Sequence, residues 1–142
     1  TPEDEAAFMA RAQGLIDQAN NHEMLPGVMG NGLLEIGENM ADLGGITLAQ
    51  QALQTYLAAH PEENVLIDGL TPDQRCFISW AQLWAWQGLD EALRSSVATD
   101  HHPPNVYRAV APLQHVDAFY EAFGIKEGDP MWLPPEQRVH VW

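Results

Sequence analysis

The sequence predicts a mainly α-helical fold, and two observations support that prediction. Apolar residues recur at helical spacing over several long stretches, and two of these begin with a Thr-Pro pair, which is typical of a helix N-terminus. The sequence shows no convincing alternation of apolar and polar residues, internal repeat or low-complexity tract. A chain of 142 residues, 46% of them hydrophobic, can bury one core, and its length does not favour two domains.

The first half of the chain predicts two helices joined by a loop. Residues 2–22 repeat apolar side chains at helical spacing behind an acidic first turn, whereas residues 26–32 combine a proline with several glycines and predict a loop. We expect the second helix from about residue 37 towards residue 59. Because each glycine of the Gly44-Gly45 pair weakens a helix by about 1 kcal/mol, we expect that pair to pack closely against a neighbouring element.

The second half predicts three further helices and a loop-rich tail. Residues 71–74 resemble a capping box, and the helix they open should continue through Trp86. Aromatic residues lie on several faces of that helix, so we expect it to be largely buried. Residues 90–97 predict a short helix and residues 113–123 an amphipathic one, and the chain after residue 124 predicts loop.

Charge and composition exclude several classes of partner. The chain has 20 acidic and 6 basic residues, a formal net charge of −14, and non-specific binding to nucleic acid or anionic membranes needs clustered Lys and Arg. No apolar run approaches the roughly 20 residues that span a bilayer. The single cysteine, Cys76, lies in an apolar stretch and predicts a buried small hydrophobe. Because Thr1 is not an initiator methionine, we expect the chain to be part of a longer polypeptide.

Glu38 and Asp42 lie one helical turn apart in otherwise uncharged sequence. Carboxylates at this spacing share a helix face and repel each other by a few tenths of a kcal/mol, so solvent or a cation must relieve the repulsion. In a metal site with histidine ligands, Glu38 would bind the ion and Asp42 would accept the ring N–H of a ligating histidine. A solvated acidic face explains the same spacing, and the spacing alone favours that simpler explanation.

Several motifs occur in one order along the chain, in residues 31–45, 77–84, 102–104, 107–108, 112–114, 119–123 and 141–142. Together they resemble the neprilysin-like zinc metallopeptidase family, in its bacterial oligopeptidase O type. The Glu-x-x-x-Asp motif of that family corresponds to Glu38 and Asp42. The resemblance covers nearly the whole chain, and the order of its motifs is more specific than any one of them.

The resemblance implies that residues 1–142 are the helical C-terminal part of a thermolysin-like (gluzincin) catalytic domain. Glu38 would be a ligand of one catalytic Zn²⁺, and Asp42 would orient a ligating histidine. The family's His-Glu-x-x-His helix, which supplies two zinc ligands and the catalytic base, does not occur in the sequence. We therefore expect another chain or chain segment to bring that motif.

The resemblance also assigns roles in substrate binding and catalysis. His102 would stabilise the oxyanion that forms when water attacks the peptide carbonyl, and Arg108 would hydrogen-bond a backbone carbonyl of the substrate. Leu83 and Trp84 would line the pocket for the apolar side chain that follows the cut. From the residues alone, His102 could instead be a surface histidine and Arg108 part of a structural salt bridge. Leu83 and Trp84 could equally be core residues.

These assignments predict a zinc endopeptidase that cleaves oligopeptides on the amino side of hydrophobic residues. The alternative is a non-catalytic helical subunit of peptidase ancestry that binds peptides or supports assembly. Members of the family are usually membrane-anchored, secreted or periplasmic, so we expect an extracytoplasmic location. Animal members usually have cysteines where this sequence has Val139 and a residue near Ile125, which suggests a bacterial-type member.

Overall fold

The chain folds as six α-helices and one small β-hairpin, which confirms the mainly α prediction for residues 1–140, the part of the chain that our computed structural model describes. Val141 and Trp142, the last matching stretch, lie outside the described residues. The elements are α1 (Pro2–Asn20), β1 (Glu23–Leu25), β2 (Val28–Met29), α2 (Gly32–Ala59), α3 (Pro72–Leu83), α4 (Asp90–Thr99), α5 (Asn105–Val110) and α6 (Asp117–Phe123). Short 3-10 turns occur at Pro61–Glu63, Pro112–His115 and Pro135–Gln137. None of the helices within residues 1–140 combines the length and the apolar composition of a membrane span.

Side-chain caps fix where the main helices begin. The Thr1 hydroxyl accepts a hydrogen bond from the Asp4 backbone N–H at 3.2 Å, and the Thr71 hydroxyl accepts one from Gln74 N–H at 3.2 Å. Each cap also has the reciprocal side-chain bond of a capping box. The predictions for the starts of α1 and α3 are therefore confirmed.

Helix α2 begins five residues earlier than predicted, because the side chain of Asn31 caps it by accepting the Leu34 N–H at 3.2 Å. Its first residue, Gly32, lies against α1, where a Cβ would collide with the backbone of Ile16. The expected close packing at the glycine pair is right for Gly44, which is buried, and wrong for Gly45, which faces open space.

A β-hairpin lies between α1 and α2, so the loop prediction for residues 26–32 is wrong at Val28–Met29. Glu23–Leu25 pairs antiparallel with Val28–Met29, and Gly27 adopts a φ of +77° in the connecting turn. The two strands have three and two residues, too few for an alternating pattern to be visible in the sequence.

The core of the described residues consists of two clusters, and α1 contributes a residue to each. The larger joins Leu15, Leu43, Ile46, Phe77, Leu113, Val116, Phe119 and Val139, and the smaller joins Ala19, Met24, Val97, Tyr107 and Ala111. Cys76 is a free thiol that packs against the larger cluster as predicted, but it is only partly buried, and this burial raises its pKa.

Helix α3 differs from its prediction in length and in burial. It ends at Leu83 rather than Trp86, and only Pro72 and Phe77 of its residues are buried. One face packs against α2, α5 and α6. Trp86, which the prediction placed in this helix, lies beyond its end and is 60% exposed.

A buried polar network ties α1 to the end of the chain. His115 Nδ1 accepts the Val139 backbone N–H at 3.0 Å, so its Nε2 carries the proton and donates to Gln18 Oε1 at 3.1 Å. Gln18 in turn donates to Gln114 at 3.0 Å. His115 lies in a 3-10 turn that precedes α6, so the single helix predicted over residues 113–123 is wrong at its start.

We expect Thr71→Ala to lower the free energy of unfolding by about 1 kcal/mol, because it removes the hydroxyl that caps α3. Urea denaturation followed by circular dichroism measures the change. Thr55→Ala is the matched control, since Thr55 is exposed within α2 and bonds only to the Gln51 carbonyl of its own helix. A loss of stability as large in the control as in Thr71→Ala would contradict the capping role.

The buried network around His115 also predicts that the free energy of unfolding depends on pH. Burial, with smaller contributions from His140 and Arg138, lowers the pKa of His115 to about 4, below the usual value of 6.5. Between pH 6.5 and about pH 4 the imidazole is therefore protonated in the unfolded chain but not in the folded one. The free energy of unfolding falls as the pH drops through this range. An NMR titration of the His115 ring measures the pKa directly, and a midpoint above 6 would contradict the network.

Candidate functional site

Helices α2, α3 and α5 bring most of the predicted site residues together. Glu38 and Asp42 lie on one face of α2, Trp84 caps the end of α3, Arg108 lies on α5, and His102 precedes α5. Helix α2 places its two carboxylates one turn apart, and α3 packs against both α2 and α5.

Arg108 binds both carboxylates. Its Nε donates to Asp42 Oδ2 at 2.7 Å and its Nη2 donates to Asp42 Oδ1 at 2.7 Å, which is the two-bond geometry that arginine forms with a carboxylate. Nη2 also donates to Glu38 Oε2 at 3.0 Å. No hydrogen bond from Nη1 of Arg108 is present within residues 1–140.

Trp80 of α3 and Trp84, the C-cap of the same helix, hold Arg108 in place. The guanidinium lies over the Trp84 ring at 4.0 Å from the centroid, and Trp80 Nε1 donates to the Arg108 backbone carbonyl at 3.1 Å. Leu83, the neighbour of Trp84, has an exposed side chain, so the described residues do not enclose a pocket around it.

For Asp42 and for Arg108 alike, burial and the neighbouring charges shift the pKa value in opposite directions. The side chains of Asp42 and Arg108 are only 8% and 12% exposed. Burial raises the pKa of Asp42, and the hydrogen bonds and positive charge of Arg108 offset part of that rise. Burial acts to lower the pKa of Arg108, but the hydrogen bonds and charges of Asp42 and Glu38 raise it above the ordinary value. The guanidinium therefore stays charged.

His102 is oriented by Asp100, a residue that the sequence analysis did not single out. Asp100 Oδ1 accepts the backbone N–H of His102 at 3.0 Å and lies 2.7 Å from its Nδ1. The backbone and side-chain hydrogen bonds from His102 lower the pKa of Asp100, so it remains a carboxylate and Nδ1 carries the proton. Nε2 then faces Glu38, with 3.7 Å between Nε2 and Oε2. An aspartate two residues before the histidine, at the end of α4, is a local signal for such a turn.

Glu38 suits the zinc role that the resemblance implies. A catalytic zinc site takes three protein ligands of the imidazole and carboxylate type. Glu38 can supply one carboxylate, and its side chain is 28% exposed, so a partner segment can reach it. Asp42 keeps unused lone pairs on both oxygens beside its bonds to Arg108, so it can still accept a ring N–H. Asn39 Nδ2 and Trp84 Nε1 are buried without a hydrogen-bond partner among the described residues, which leaves polar groups for a further segment to satisfy.

Comparison with known proteins gives one consistent family. The sequence profile of Peptidase family M13 matches residues 1–139. The chain is 34% identical over 142 residues to the neutral endopeptidase of Lactobacillus helveticus. This match covers 100% of this chain and 20% of that protein. It is 32% identical over 146 residues to human neprilysin, covering 100% of this chain and 19% of that protein.

A solved structure shows the same fold. The zinc metalloprotease Zmp1 of Mycobacterium tuberculosis in its open state superposes with a TM-score of 0.91 at 35% identity. That match covers 100% of this chain and 23% of the Zmp1 chain. This chain thus spans about a fifth of the length of the relatives that it matches.

We expect the Arg108–Asp42 pair to be strongly coupled, because both side chains are largely buried. A double-mutant cycle with Asp42→Ala and Arg108→Ala should give a coupling free energy above about 1.5 kcal/mol in urea denaturation. The control is the cycle of Asp117→Ala and Arg138→Ala, whose carboxylate is 61% exposed and whose coupling should stay below about 1 kcal/mol. Equal coupling free energies in the two cycles would contradict the expectation that burial strengthens the Arg108–Asp42 pair.

Proposed function

The chain belongs to Peptidase family M13, and from that premise we propose that it supplies part of the active site of a zinc-dependent endopeptidase. The observation that supports this most strongly is the convergence of Glu38, Asp42, His102 and Arg108 from α2, α5 and the segment before α5. A cluster of two carboxylates and an arginine costs desolvation and is not needed to close a helical core. A function that uses these groups explains why they lie together.

We propose that Glu38 completes the ligand set of one Zn²⁺ whose two histidine ligands come from a segment with His-Glu-x-x-His. That motif is absent from the sequence, and the relatives are about five times longer than this chain. A zinc ion held there would polarise the scissile carbonyl and lower the pKa of a coordinated water. Asp42 accepts the ring N–H of one of those histidines and fixes its orientation. The enzyme is active only when the two parts are joined.

His102 and Arg108 act on the peptide itself. Asp100 accepts the Nδ1 proton of His102, so when the ring is doubly protonated its Nε2–H is free to donate to the oxyanion that develops at the scissile carbonyl. Arg108 keeps Nη1 for a backbone carbonyl of the substrate while its other nitrogens remain bound to the carboxylates. The Trp84 ring and the exposed Leu83 offer apolar surface beside it. From the family resemblance we propose that the enzyme cuts oligopeptides on the amino side of a hydrophobic residue.

Two further proposals follow from the family resemblance. The enzyme acts outside the cytoplasm, as members of the family usually do. It is of the bacterial type that lacks the cysteine pair of animal members, since Val139 is part of the larger core cluster and Ile125 packs against that cluster.

A second candidate function is a non-catalytic subunit that binds peptides or supports assembly. The absence of His-Glu-x-x-His from the sequence favours it. Native mass spectrometry of the purified protein separates the two candidates. A complex of the 15.8 kDa chain, or a longer polypeptide containing it, with the histidine motif and one zinc supports the peptidase. A metal-free 15.8 kDa species without peptidase activity supports the subunit.

We expect Glu38→Gln to abolish zinc retention in the protein that contains both segments, because the variant loses its anionic ligand. Zinc content by atomic absorption and cleavage of an oligopeptide measure the effect. His102→Gln should retain zinc but lower kcat by about 100- to 1,000-fold, the usual effect of removing an oxyanion donor.

The matched control is Glu121→Gln, which removes an exposed carboxylate from α6. It should keep both zinc and activity. Stoichiometric zinc and full activity in Glu38→Gln would overturn the proposed function, and so would an unchanged kcat in His102→Gln.

A further inference from the structure

His101 has no role in the proposed function, yet it lies beside Glu38 and His102. One ring nitrogen of each histidine and one carboxylate oxygen of Glu38 all lie within 4.8 Å of one another. The two imidazole rings are 4.0 Å apart between centroids, and Nε2 of His102 lies 3.7 Å from Oε2 of Glu38. We propose that Glu38, His101 and His102 form a second binding site for a divalent transition metal such as Zn²⁺, built from residues of this chain alone.

The donor set selects the class of metal. Two imidazoles and one carboxylate suit Zn²⁺ and its neighbours in the first transition row, whereas Ca²⁺ and Mg²⁺ prefer oxygen ligands only. Tetrahedral ligands with bonds of about 2.0–2.1 Å lie roughly 3.3 Å apart. The separations of 3.7 to 4.8 Å therefore need only small side-chain rotations to close around an ion.

Asp100 gives this site the carboxylate that commonly supports a metal-bound histidine. Its Oδ1 lies 2.7 Å from Nδ1 of His102 and 3.7 Å from Nδ1 of His101. A carboxylate on Nδ1 fixes the ring and makes the opposite nitrogen a better ligand. In His102 that opposite nitrogen is Nε2, the atom that faces Glu38.

Access and charge also favour an ion at this position. The side chains of His101, His102 and Glu38 are 63%, 47% and 28% exposed, so an ion can enter from solvent. The formal net charge of −14 attracts cations. Arg108 competes with the ion for Glu38 Oε2 through one hydrogen bond and repels the ion as a cation, but its two hydrogen bonds to Asp42 do not depend on Glu38.

The site shares Glu38 and His102 with the proposed active site, and this has a consequence for the complete enzyme. An ion bound to Nε2 of His102 removes the donor that we assign to the oxyanion. Excess Zn²⁺ should therefore inhibit the complete enzyme, and His101→Gln should weaken that inhibition while leaving zinc-limited activity intact. This consequence rests on the proposed function, but metal binding by the chain does not.

Isothermal titration of the metal-free 142-residue chain with ZnCl₂ tests the site directly, with circular dichroism to confirm that each variant keeps its helices. We expect one site, and we expect His101→Gln to weaken its affinity at least about 10-fold, the least effect seen even for an outer-shell partner of a metal. Because His101 is 63% exposed, the substitution should not disturb the fold.

Two control variants identify the site. His60→Gln removes the histidine of a separate exposed group with Glu62 and Glu63, and His140→Gln removes an exposed histidine outside both groups. Both should bind Zn²⁺ like the parent chain. No binding by the parent, unchanged binding by His101→Gln, or loss of binding only in His60→Gln would overturn the inference. None of these outcomes contradicts the proposed peptidase, because its catalytic zinc takes its histidine ligands from another segment.

Discussion

The guanidinium of Arg108 between Glu38 and Asp42 is the interaction on which the site depends. Carboxylates one turn apart repel each other, and here a protein cation relieves that repulsion with three hydrogen bonds of 2.7 to 3.0 Å. The contact also joins α2 to α5 and, through the Trp84 ring, to the end of α3. A single side chain thus couples the geometry of the carboxylates to that of the segment that holds His102.

The same arrangement explains how Glu38 can change partners while the site keeps its shape. Asp42 takes two of the three hydrogen bonds from Arg108 and is the more buried of the two carboxylates. Glu38 shares only one bond with Arg108 and is more exposed, so a metal ion can compete for it at small cost. Asp42 therefore acts as the fixed anchor of Arg108, and Glu38 remains available as a ligand. Preorganisation of this kind is what metal sites and oxyanion donors require.

Local signals in the sequence predicted much of the fold and part of the site. The Thr71 capping box and the spacing of Glu38 and Asp42 depend on residues a few positions apart, and the structure shows them as expected. The partner of the acidic pair could not be identified in the same way, because Arg108 lies 66 residues beyond Asp42 in the chain. The sequence also suggested that a bound metal would relieve the acidic pair, whereas in the structure an arginine does so. The exposure of α3 was missed for a related reason, since helical periodicity does not say which faces find a partner.

The central claim is that Glu38 binds the catalytic zinc of a site completed by a His-Glu-x-x-His segment. Anomalous diffraction at the zinc edge, from crystals of the protein that contains both segments, tests it most directly. We predict one strong peak about 2.0–2.2 Å from a carboxylate oxygen of Glu38 and about 2.0–2.1 Å from two histidines of the other segment. A fully occupied zinc peak bound to those histidines but out of bonding reach of Glu38 would contradict the account.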